Sequence, residues 1–174
     1  MGKQRLEGVG GISGKMRETM IEAAERRFPE IEARGLDGRT YRLPGELEDE
    51  WSVVLVAFHR SQQRVVDGWL PPLLELERRL PGVRVYELPT ISSAWSPLRW
   101  FIDGGMTRGI ADPDARARTL TTYTDVDRVV DALGLDGTET IALVVISPGG
   151  LIVWQGGGEF DETQLSALAT ALGD

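Results

Sequence analysis

The residue types able to move a proton or hold an anion fall together in one short stretch, His59-Arg60-Ser61-Gln62-Gln63, directly after the valine-rich run at 51–58. His59 is the only histidine in the chain, so a histidine metal site would need carboxylates to complete it. A single imidazole suits acid–base work with a carboxylate such as Asp67, or a purely structural role. Ser61, Gln62 and Gln63 fall where a helix should begin, and the free N–H groups and dipole of a helix start favour a negative group. Plain capping by Ser61 is the alternative. Nothing around Ser61 resembles a Gly-x-Ser-x-Gly elbow, which argues against a serine hydrolase. The chain has no cysteine. That excludes a disulfide, a thiol nucleophile, a zinc–thiolate site and an iron–sulfur cluster.

A second concentration lies at 90–118. There Arg99, Arg108, Arg116 and Arg118 accompany Asp103, Asp112 and Asp114, with Trp95, Trp100, Phe101 and Met106 interleaved. Ion pairs pinning a long loop and aromatic core packing explain this composition. So does a segment covering the 58–63 turn, its arginines gripping an anionic ligand or a partner's carboxylates and its aromatic residues supplying apolar contact. A connection of this length in a compact domain tends to be functional or mobile. One further candidate fails. Gly14-Lys15 suggests a phosphate loop, but Val9 stands where glycine is required and Met16 where a magnesium-binding hydroxyl is required.

The bulk numbers set the frame for these candidates. A chain of 174 residues is one domain with room for a real core. A net charge of −8 argues against general nucleic-acid binding. Lys3 and Lys15 are the only lysines, and the remaining basic residues are arginines, which base composition or bidentate anion binding would explain. No apolar run approaches a bilayer span, and the start lacks a secretory signal. The expectation is a soluble, cytoplasmic protein with no cofactor and no metal.

In chain order, the glycine-rich residues 1–14 read as a mobile tail. Residues 15–35 read as an amphipathic helix from the spacing of Met16, Met20, Ile21, Ala24, Phe28 and Ile31. A body at 36–174 follows, with its insert at 90–118. Strands are predicted at 40–43, 51–58, 83–88, 120–123, 140–146 and 151–154. Helices are predicted from Ser61 through Pro71-Pro72 to residue 80, at 126–133 behind an Asp125 cap, and after an Asp161/Gln164 capping box. The glycines at 156–158 read as a release from the last strand. A parallel half followed by a hairpin and a final helix is the plan of an α/β thioredoxin-like fold, with a central mixed sheet flanked by helices.

The opening stretch resembles the first strand and helix of thioredoxin-like proteins. Counting from Phe58, the two thiol positions fall on Gln63 and Val66, and the following proline on Pro71. The proline that family places before its hairpin strand is missing, since Thr138-Glu139-Thr140 stands there. Without a thiolate, thioredoxin or peroxiredoxin chemistry is excluded. A closer resemblance covers about 36–172. It rests on Gly38 to Pro44, Val56-Ala57-Phe58, Trp69, Val85-Tyr86-Glu87-Leu88-Pro89, Tyr123-Thr124-Asp125 and the Gly-x-Ile-x-Trp-x-Gly-x-Gly run from Gly150. These are similar to the mitochondrial ATPase complex subunit ten family, and to bacterial proteins with a related insert.

The resemblance implies a non-redox protein-binding assembly factor or chaperone-like adaptor, with a membrane-complex subunit among its partners. The candidate surface is His59, Arg60, Ser61, Gln62, Gln63, Trp69, Trp95, Arg99, Trp100, Met106, Arg108 and Arg116, with no catalytic residue assigned. The alternative is a small-molecule or anion-binding domain, or an enzyme, that uses His59 and the insert's arginines.

Overall fold

Strand β3, Trp51–Ala57, is the centre of the molecule, and its composition explains why. Ser52 through Val56 are all buried, because both faces of this strand meet apolar layers. The structure, a computed structural model, describes residues 26–94 and 113–174. In chain order it contains β1 (Ile31–Gly35), β2 (Thr40–Leu43), β3, a 3₁₀ turn at Arg60–Gln62, α1 (Gln63–Arg79) and β4 (Val83–Ser92). Then come α2 (Pro113–Arg118), β5 (Leu120–Thr124), α3 (Val126–Leu133), β6 (Ala142–Ile146), β7 (Ile152–Gly157) and α4 (Glu162–Leu172).

The strands form one mixed sheet in the order β2-β1-β5-β4-β3-β6-β7. β3 runs parallel to β4, with Val53 beside Val85, and antiparallel to β6, with Leu55 beside Leu143. Alternation then sorts the side chains into two layers. Val53, Leu55, Val85 and Leu143 meet Val66, Trp69 and Leu73 of α1 and Leu168 of α4. Val54, Val56, Leu88 and Val144 face the other way, onto Val129 and Leu133 of α3. Asp125 caps α3, accepting from the Asp127 N–H, and Gly134 ends the helix in the left-handed region at φ 60°.

One element differs from the sequence expectation. Of the helix anticipated at 15–35, the described part, 26–35, is not helical, and 31–35 are strand β1. Pro29 stops helical hydrogen bonding, and from there the burial alternates: Ile31, Ala33 and Gly35 in, Glu32 and Arg34 out. The period of two prevails over the looser three-to-five spacing. Residues 1–25 lie outside the described part.

Two strand edges are closed by side chains instead of by another strand. At the end of β7, Gln164 accepts from the Gly157 N–H at 3.0 Å and donates to its carbonyl at 3.1 Å. Asp161 does cap α4 by accepting from the Gln164 N–H at 2.8 Å, but the Gln164 side chain faces the strand instead of completing the capping box. The glycines predicted to release the chain are therefore partly strand: Gly156 and Gly157 belong to β7. A Cβ on Gly157 would collide with the Ile141 carbonyl, and one on Gly156 with Trp154 and Gln164.

At Val85 in β4, the Glu77 carboxylate accepts the backbone N–H at 2.8 Å. Arg118 donates to Glu77 at 3.0 Å and to the Val85 carbonyl at 3.5 Å. The ion pair thus occupies the place of a neighbouring strand residue and ties the far end of the insert to α1 and β4. Arg84 lies 3.5 Å from the other Glu77 oxygen, so the carboxylate holds two cations. Arg118→Leu leaves Glu77 its contact with Arg84 and its bond from the Val85 N–H, and is expected to cost about 1–2 kcal/mol in urea unfolding. Glu77→Leu strips that N–H of its acceptor as well and should cost more. A Glu77→Leu variant no more damaged than Arg118→Leu would show that the carboxylate does not stand in for a strand.

Candidate functional site

β3 delivers Phe58 and His59 to the carboxyl-terminal edge of the sheet, and the chain reverses into α1 through the 3₁₀ turn. What fixes this reversal is the side chain of Gln62, only 6% exposed. Its Oε1 accepts from the N–H of Phe58 at 2.8 Å and of His59 at 3.2 Å. Its Nε2 donates to the Thr138 carbonyl at 2.8 Å. One buried amide therefore satisfies the end of the central strand and clamps it to the loop before β6. His59 adds a contact of 2.9 Å between its Nε2 and Thr138 Oγ1, at the surface. The N-cap position of α1 anticipated for Ser61 is held by Gln62, whose side chain caps no N–H of that helix and turns back to the strand instead. Ser61 is exposed, and its side chain forms no hydrogen bond among the described residues.

Gln63 and Val66, the positions that would carry thiols, serve different ends. Gln63 is exposed and donates to Asp67 Oδ1 at 2.9 Å. Val66 is buried in the core with Trp69 and Leu73. Pro71 and Pro72 lie inside α1, which continues past them to Arg79.

Trp69, a candidate contact residue, is wholly buried. Its indole donates to the Gly158 carbonyl at 2.9 Å and its ring meets Phe160 edge-on at 5.1 Å, so it presents nothing to a partner. It is a core residue because an apolar ring with one satisfied N–H loses nothing inside. Arg60 is exposed in the turn, and Arg116 is half-buried in α2, away from the 59–63 run in sequence. Trp95, Arg99, Trp100, Met106 and Arg108 lie outside the described residues.

Behind the start of α1 stands Glu87 of β4. Burial pushes its carboxyl above the usual range, and the negative charge of Asp67 adds to the shift. Arg118 and a hydrogen bond from Gln63 oppose it. Glu87 was missed as a site residue, yet a signal existed. Period two in β4 places it on the face of Val83 and Val85, and a carboxylate on an apolar face is out of pattern. Thr138 carried no such signal, because its part depends on a contact 76 residues away from Gln62.

A groove of about 230 Å³ lies elsewhere, lined by Arg26, Ile152, Val153, Trp154 and Gln155. Among the described residues no cluster of histidine and carboxylate side chains is arranged to hold a metal. No helix among them is long and apolar enough to cross a membrane.

No family model matches the chain, and no curated protein matches it. Solved structures do. A putative electron transfer protein from Aquifex aeolicus VF5 superposes with a TM-score of 0.56 at 16% identity, over 84% of this chain and 94% of that one. A thiol:disulfide interchange protein from Bacteroides sp. gives 0.56 at 12% identity, over 86% and 90%. The fold is thioredoxin-like. BsSco, a member of the Sco family of cytochrome c oxidase assembly proteins, gives 0.54 at 10% identity, over 85% and 94%. These likenesses establish the thioredoxin-like fold and do not extend to the subunit ten family.

Two outcomes follow from this geometry. Gln62→Ala leaves the Phe58 N–H and Thr138 carbonyl without their partner and is expected to cost about 2–3 kcal/mol in urea unfolding. A loss no larger than that of Gln63→Ala would contradict the clamp. Glu87 binds its proton more tightly in the folded chain than in the unfolded one, so stability falls as pH rises from the unfolded carboxyl value through the raised folded one. Glu87→Gln should remove that slope and stabilise the protein at neutral pH. Unfolding free energies measured across the acid-to-neutral range check the sign.

Proposed function

We propose that this thioredoxin-like protein acts without redox chemistry, as a protein-binding assembly factor or chaperone-like adaptor in the cytoplasm. The observation that carries the reading is the corner where β3 meets α1. His59, Arg60, Ser61, Gln63, Glu139 and Thr140 are exposed there, on a frame held rigid by buried Gln62. No thiol is present anywhere in the chain. A rigid, solvent-facing polar rim suits recognition, since little conformational freedom is lost when a partner docks.

The partner class we favour is a subunit of a membrane complex such as ATP synthase. Two things support it: the run of motifs shared with the subunit ten family, and an assembly protein among the structural neighbours. Trp95, Arg99, Trp100, Met106 and Arg108 belong to the same proposed surface, with Arg116 at its margin.

The small-anion reading has one observation in its favour. Arg60 is exposed and forms no ion pair among the described residues.

Retention of detergent-solubilised ATP synthase membrane-sector subunits on the immobilised full chain tests the proposal. The expected result is capture of a defined subunit, weakened at least ~10-fold by Arg60→Glu with Glu139→Lys, a loss of ~1.4 kcal/mol. Absence of capture, or equal capture by the variant, would overturn it. Thermal stabilisation by inorganic phosphate that disappears in Arg60→Glu would shift the assignment to the anion reading.

A further inference from the structure

The chain carries four Asp-Gly pairs, at 37–38, 67–68, 103–104 and 136–137, and no asparagine. Asp-Gly is the dipeptide most open to intramolecular attack, because glycine has no side chain to shield its nitrogen. The fold treats the three described pairs very differently, although Asp37, Asp67 and Asp136 are all exposed.

In the first pair, the Gly38 N–H is held by the Gly35 carbonyl at 2.9 Å, and Asp37 Oδ1 accepts from the Arg39 N–H at 2.9 Å. In the second, Gly68 is inside α1, where the backbone N–H is committed to the helix, and Asp67 accepts from Gln63. In the third, neither Asp136 nor Gly137 takes part in a hydrogen bond or ion pair among the described residues, and a Cβ on Gly137 would meet nothing within 4 Å. Both the nucleophile and the electrophile are free only there among the described pairs.

We infer that Asp136-Gly137 is a site of spontaneous covalent isomerisation, set by the fold to react ahead of the other described Asp-Gly pairs and placed where the product undoes the Gln62 clamp. The Gly137 nitrogen attacks Asp136 Cγ. The N–Cγ bond forms, a Cγ–O bond breaks, and the amide proton and hydroxyl leave as water, giving a five-membered succinimide. Water then adds to either ring carbonyl and regenerates aspartate or its β-linked isomer. No oxidant or second reactant is needed.

The β-linked form has one extra methylene in the main chain just before Gly137. Thr138 follows immediately, and its carbonyl and hydroxyl are the atoms held by Gln62 and His59. Displacing them releases the loop from the end of β3. The modification therefore acts on the corner proposed for binding, but it occurs whether or not any partner exists.

The test is incubation of the full chain near neutral pH at physiological temperature, followed by peptide mapping with mass detection. The peptide containing Asp136 should accumulate a species one water lighter and a mass-neutral isomer several-fold faster than the peptides containing Asp37 and Asp67. In concentrated urea the three rates should converge. Asp136→Glu retains the charge but disfavours ring closure, and should abolish both products from that peptide. Equal rates in the folded chain, a faster Asp37 or Asp67, or the same ranking in urea would each overturn the inference. The peptide spanning 103–104 is resolved separately and does not enter the comparison.

Discussion

The corner where β3 meets α1 depends on a single buried amide. A strand that stops beneath a helix leaves backbone donors facing inward, and an unpaired buried N–H is among the more expensive defects in a protein. Gln62 supplies one acceptor for two such donors, and its remaining N–H reaches across to Thr138. Because that reach joins the central strand to the loop before β6, the rim of exposed residues around it has a defined shape. A thioredoxin-like fold with thiols must leave room there for two sulfur atoms and their exchange. This chain has instead placed a glutamine and a valine at those positions and anchored the turn from the residue between strand and helix.

The same device appears at two other points of the sheet. Gln164 treats Gly157 as a strand partner would, accepting from its N–H and donating to its carbonyl. Glu77 and Arg118 do so together for Val85. Side chains used this way have two physical effects. They satisfy backbone groups that a short or absent neighbour leaves open, and they deny the edge to a foreign strand. They also couple distant parts of the chain, since a residue of α1 or α4 becomes part of the sheet's hydrogen bonding.

The fold was legible in the sequence wherever one physical rule dominated. The unbroken apolar run at β3, the Asp125 and Gly134 ends of α3 and the β6–β7 hairpin each follow from local pattern, and the structure places them as expected. Residues 31–35 misled because apolar residues three to five apart fit a helix loosely, while the alternation of Ile31 and Ala33 fits a strand strictly. The turn after β3 was legible in its position in the fold but not in what holds it. Ser61 looked like the cap by residue type. The clamp by Gln62 depends on a long side chain folding back on the end of β3, and on Thr138, which no local pattern connects to it. Trp69 illustrates the opposite failure: its type suits an interface, and only the sheet face beneath it and Phe160 reveal that it is enclosed.

The anchoring of Arg118 has a consequence for how this chain tolerates change in length. The segment between β4 and β5 leaves from Ser92, which pairs with Thr124, and returns through Arg118 onto Val85 of the same strand. Its two ends are thus fixed by the sheet, independently of what lies between them. For a loop closed in this manner the entropic penalty grows only with the logarithm of length, about 0.6 kcal/mol for each doubling. The closure part of the cost of lengthening or shortening the segment is therefore small, so long as the arginine that closes it remains.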